Sequence, residues 1–114
     1  MDRRSDPVVS VLLRARKLIE RPEQWKQYAG QCLSRRQINE PSCIAEAVAQ
    51  AGYYREVVTE ALLYVGDAID ARRLVASDER HDQIFAWNDA PERTHPEVLA
   101  AIDKAIALRA QEIA

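Results

Sequence analysis

Ala86-Trp87-Asn88-Asp89-Ala90-Pro91-Glu92-Arg93-Thr94-His95-Pro96-Glu97-Val98-Leu99 is the stretch that decides the fold, because it closes one element and launches the last helix within a few residues. Thr94 is placed to act as an N-cap, its hydroxyl accepting from a backbone N–H of the first turn, and Glu97 reaches back from three residues on to complete a capping box. Pro96 falls in the first turn, where its missing N–H costs nothing. Pro91 pushes Ala90 out of the α region, so an element ends near Trp87 to Asp89. A Trp beside Asn-Asp predicts an indole anchored in the core while its polar neighbours tie down the loop.

Working outward, Val98, Leu99, Ile102, Ala105, Ile106 and Ile113 recur at helical spacing and define the last helix. On the N-terminal side, Ile84, Phe85 and Trp87 read as a short apolar turn, preceded by a polar connector over Ser77-Asp78-Glu79-Arg80-His81-Asp82. The longest periodic segment runs from Tyr53 to about Val75, with Val58, Ala61, Leu62, Val65, Ala68 and Ile69 clustered on one face. A shorter helix, opened by Asn39-Glu40-Pro41-Ser42, carries Ile44, Ala47, Val48 and Ala51, and Gly52 reads as its left-handed C′ residue. The first helix starts at Asp6 as cap with Pro7 behind it, buries Val8, Val11, Leu12, Ala15, Leu18 and Ile19, and stops near Glu20 before Pro22.

Residues 23–39 fit neither a 3.6-residue period nor strict alternation. A short hairpin turning near Ser34-Arg35-Arg36 and an irregular helical segment fit equally, and Trp25 reads as a core anchor. The expectation is a mainly α, compact single domain over 1–114, a bundle of about four helices with room for a short β-hairpin between the first and second.

Bulk composition agrees. Hydrophobic residues make up 47% and charged residues 30%, with only three Gly, which suits a helical domain of 114 residues with a real core. The net charge of −2 conceals a split: residues 1–40 carry +4 and residues 41–114 carry −6. Two cysteines and an N-terminus unlike a signal peptide point to a cytoplasmic protein with reduced thiols. No apolar run approaches the ~18 residues of a membrane span.

Trp87-Asn88-Asp89-Ala90-Pro91-Glu92-Arg93-Thr94, followed by Glu97-Val98-Leu99 and Ile102-Asp103-Lys104-Ala105-Ile106, resembles the C-terminal signature of a small family of bacterial and phage proteins, domain of unknown function 6197. Leu13 to Glu20 is similar to that family's first helix, Trp25-Lys26-Gln27 to its W-x-Q segment, and Cys43-Ile44-Ala45-Glu46-Ala47-Val48 to its C-L-x-G-A-L segment. Glu46 and Glu92 stand where the family often has Gly. The resemblance implies a shared small scaffold and supplies no chemistry.

Cys32, Cys43, His81 and His95 have the composition of a zinc site, but their separations match no close-pair ligand spacing, so no metal and no cofactor is expected. A thiol enzyme would need Cys43 beside His81 or His95, with Asn88 or Asp89 orienting the base, and nothing in the spacing unites them, so no catalytic residue is assigned. Trp87, Asn88, Asp89, Arg93 and Thr94 read first as a structural lock and second as a small ligand-binding or enzymatic site. Arg14, Arg16, Lys17 and Arg21 form a basic first helix that would contact DNA only weakly, given a pI near 5.7.

The most unusual feature is an acidic face. At about 100° per residue, Glu56, Glu60, Asp67 and Asp70 share a sector about 80° wide with Leu63 in its middle, and they span about 21 Å of helix. Such a face can compete for a partner's nucleic-acid channel. The expected function is therefore a non-enzymatic interaction protein, of the kind phages use to inhibit or modulate a nucleic-acid-handling host complex. Its partner is a protein bound through Glu56, Glu60, Leu63, Asp67 and Asp70; a homodimer is compatible with this, and neither direct nucleic-acid binding nor a membrane is expected.

Overall fold

The computed structural model describes residues 6–27, 42–69 and 77–113, with the backbone alone for 77–82. Among these residues there are five α-helices: α1 (Pro7–Leu18), α2 (Ile44–Ala51), α3 (Arg55–Ala68), α4 (Ser77–Asp89) and α5 (His95–Ile113). A single 3-10 turn, Pro22–Gln24, follows α1. The only extended pairing among the described residues is a parallel bridge between Trp25 and Ser42, in which Lys26 N–H donates to the Ser42 carbonyl (3.0 Å) and Ser42 N–H to that of Gln24 (2.8 Å). The expected turn at Ser34-Arg35-Arg36 lies outside the described residues.

The first helix forms as its sequence dictates. Asp6 accepts from Val9 N–H at 3.0 Å, Pro7 takes the first helical position, and Val8, Val11, Leu12 and Ala15 are buried. Leu18, the last residue of α1, departs from the expected stripe and is 40% exposed, although it lies about 20° around the helix from the buried Val11. Helix α2 begins later than expected, at Ile44, with the Cys43 sulfur accepting from Glu46 N–H at 3.4 Å. Gly52 corrects another expectation. Its φ of −110° is ordinary extended backbone, so the glycine is required by space: a Cβ there would fall on the Val58 side chain, while meeting Val11 at ordinary contact distance. The close approach of α1 to the start of α3 depends on it.

Helix α3 starts after Tyr54 and ends at Ala68, where Ile69 leaves helical geometry; 70–76 lie outside the described residues. The largest correction concerns Ser77–Asp89, which is one continuous helix where a connector and a short turn were expected. Its core-facing row is Ile84 and, four residues on, Asn88, both fully buried. A polar residue in the anchoring position hides the helical period from any hydrophobic pattern. This helix is the fifth member of the expected four-helix bundle.

One shared core joins the helices. Leu12 and Ile19 from the first helix and its cap meet Ile44 and Val48 of α2, Val65 of α3, Ile84 of α4, and Val98 and Ile102 of α5. No described helix is long and apolar enough to cross a membrane.

Candidate functional site

Asn88 is the centre of the junction between α4 and α5. Its side-chain carbonyl accepts from Trp25 Nε1 (2.8 Å) and from the backbone N–H of Ile44 (3.1 Å), while its amide donates to the Lys26 carbonyl (3.1 Å) and to Asp89 Oδ1 (3.0 Å). The bond to Ile44 satisfies a first-turn N–H of α2, so a residue from α4 caps a helix 44 positions away. Gln27 Nε2 adds bonds to the Asn88 carbonyl (3.1 Å) and the Ala90 carbonyl (2.6 Å). An amide side chain has two donors and two acceptor lone pairs, and all four capacities of Asn88 are spent within the chain.

Around it, Arg93 lies over the half-buried Trp87 ring, 4.0 Å from its centroid, and donates from Nε to the Trp87 carbonyl (2.9 Å) and from Nη1 to Glu97 (3.1 Å). Thr94 and Glu97 make half of the expected capping box. Glu97 Oε1 accepts from Thr94 N–H (2.9 Å), but the Thr94 hydroxyl donates to the same oxygen (3.0 Å) rather than capping the helix itself. The Thr94 backbone N–H, then its hydroxyl, then Arg93 hold the Glu97 carboxyl below its ordinary range. His95 Nε2 sits 2.7 Å from the Ile19 carbonyl. Trp87, Asn88, Asp89, Arg93 and Thr94 are thus brought together, and their polar groups bond largely to one another and to neighbouring backbone.

The acidic face is assembled only in part. Glu56 is exposed, Leu63 and Asp67 are half-buried, and Asp70 lies outside the described residues. Glu60 bonds Arg109 Nη1 at 3.1 Å, so a cation from α5 reaches a face whose own helix places none there. Arg109 also clasps the buried Asp6 carboxylate with two bonds of 2.8 and 3.0 Å and donates to the Tyr64 hydroxyl, which in turn bonds Glu112. The Asp6 hydrogen bonds hold Arg109 above its ordinary value, and Arg109 holds the Asp6 carboxyl below its own. Burial, then the Glu112 bond, raises the Tyr64 hydroxyl.

Among the described residues no three His, Cys, Asp or Glu side chains gather as metal ligands. Cys43 is buried at the start of α2, whereas Cys32 and the side chain of His81 lie outside the described residues. Of the basic first-helix residues, Arg14 Nε bonds the Ala51 carbonyl at the end of α2 (2.9 Å), and Arg16 grips Asp103 of α5 at 2.6 and 3.3 Å.

A feature the sequence analysis did not single out lies beside Arg14. Leu13, Arg14, Lys17, Leu18, Gln50, Ala51 and Tyr53 line an open groove of about 660 Å³. Leu13 is 42% exposed, Tyr53 is 93% exposed, and Tyr54 follows it at the surface. The signals were there: a leucine on the side of α1 away from the buried stripe, and a tyrosine pair directly after Gly52.

A family model described as a family of unknown function, DUF6197, matches residues 3–108. The chain belongs to this family. No curated protein and no solved structure matches it. The DUF6197 match spans the Asn88 junction, the acidic face and the groove, so all three belong to the shared region of the chain.

Proposed function

We propose that this DUF6197 protein is a non-enzymatic protein-interaction module acting in the cytoplasm, and that its contact surface is the groove between α1 and the end of α2. The observation that carries the reading is the exposure of Leu13, Leu18 and Tyr53 around one concave, largely apolar site. Concentrated apolar exposure marks a contact surface, whereas scattered surface leucines do not. The ligand or enzyme reading at Trp87 to Thr94 is disfavoured by the spent hydrogen-bonding capacity of Asn88, since a substrate would have to displace the bond that caps α2.

A second reading keeps the acidic face of α3 as the contact, with the protein inhibiting a nucleic-acid-handling host complex in the manner of a phage protein. The exposed Glu56 favours it, while the Glu60–Arg109 pair reduces the negative charge it offers. A photo-crosslinking amino acid at Leu18 or Tyr53, and separately at Glu56 or Asp67, separates the two in cells of the native host. Adducts from Leu18 and Tyr53 are expected; adducts from the α3 positions alone would move the contact to the acidic face, and none from either set would overturn an interaction role.

A further inference from the structure

The groove has a charge sign as well as a shape. Among the described residues its lining includes two cationic side chains, Arg14 and Lys17, and no carboxylate. On the α1 helical wheel Leu13, Lys17, Arg14 and Leu18 follow one another within a sector about 140° wide, so the two cations lie side by side with a leucine on either flank. Arg14 is held in place by the Ala51 carbonyl at the groove floor, and Tyr53 stands on the other side.

Resting on the interaction reading above, we propose that the occupant is an acidic amphipathic α-helix of another protein. Its apolar side chains enter between Leu13, Leu18 and Tyr53, and its Asp or Glu residues lie against Lys17 and Arg14. The described elements flanking the groove are helices, which present no strand edge for an added β-strand, so recognition falls to a helix laid in a groove. Leu13 and Leu18 lie about 7.5 Å apart along the α1 axis, within the span of apolar residues at i and i+4 or i+7 of a docked helix. A symmetric second copy fits poorly, because a two-fold contact sets each patch against its own image, and both would bring cations to the contact. A flat bilayer would touch the rim and leave Ala51 on the floor uncovered.

The test selects binders to the full-length protein from a display library of 16-residue helical peptides with randomised surface positions, and measures the enriched peptides by fluorescence anisotropy. Enrichment of apolar residues at i, i+3 or i+4 flanked by Asp and Glu is expected. Affinity should fall at least tenfold with Lys17→Glu and with Leu18→Asp, persist with Lys17→Arg, and weaken with added salt, while circular dichroism and Tm stay unchanged. Absence of enrichment, enrichment of basic peptides, or indifference to Lys17→Glu would overturn the proposal. So would tighter binding of phosphatidylglycerol vesicles or single-stranded DNA, or a dimer in light scattering that Lys17→Glu strengthens. Crosslinks from Leu18 and Tyr53 in cells without an acidic helical binder would reject this occupant and leave the groove as the contact surface; loss of both would reject the groove as well.

Discussion

Replacing Asn88 by alanine removes the group on which α2, α4 and the Trp25 segment converge. Two donors lose their acceptor together: the Ile44 backbone N–H, on a fully buried residue, and the half-buried Trp25 indole N–H. Leaving a buried donor unsatisfied costs about 1–3 kcal/mol, and the truncation also leaves a small void where Asn88 was fully buried. The expected loss is about 3–5 kcal/mol, a large share of the ~5–15 kcal/mol that stabilises a typical domain. With roughly 4 °C per kcal/mol for a chain of this size, Tm falls by about 12–20 °C. Urea denaturation of the wild type, Asn88→Ala, Trp25→Phe and the double variant checks both the size and the cause. The two sites should couple, the double variant losing less than the sum, since Trp25→Phe has already removed one donor. A loss below about 1 kcal/mol for Asn88→Ala, or strict additivity, would refute the claim that this amide is a structural hub. Asp89→Ala, which removes one half-buried acceptor, should cost less than about 1 kcal/mol.

Arg109→Met should destabilise the fold by about 3 kcal/mol in urea, because it strands the Asp6 carboxylate, whose side chain is only 5% exposed. Arg16→Ala, which breaks a more exposed ion pair with Asp103, should cost less than about 1 kcal/mol by the same measurement. The Asp6–Arg109 pair also fixes a pH dependence. Because the folded state holds the Asp6 carboxyl below its unfolded value, its contribution is full above about pH 4 and is lost as pH falls further through the folded value. The urea midpoint of Asp6→Asn should therefore lie below wild type at pH 7 and approach it near pH 2; a gap independent of pH would show that the pair does not carry the difference.

Sequence alone was enough for the elements whose signals are local. Asp6-Pro7 started α1, Pro91 ended the element at Asp89, and the apolar periods of α1, α3 and α5 put Leu12, Val65 and Ile102 in the core, because capping and amphipathic spacing act within one or two turns. That Trp87 to Thr94 closes one element and launches the last helix was legible for the same reason. Which partners it locks was not, since Trp25, Lys26 and Ile44 reach Asn88 across 44 to 63 residues of chain. Only tertiary structure could make Ser77–Asp89 a helix with a buried amide in its core-facing row, turn Gly52 from a left-handed cap into a contact for Val58 and Val11, and bring Arg109 to Glu60. The groove belongs to the same class: α1 supplies its leucines and cations, but the floor and far wall come from Ala51 and Tyr53, and packing brings the two sides together. Local periodicity determines which faces exist; long-range packing decides which of them remain uncovered.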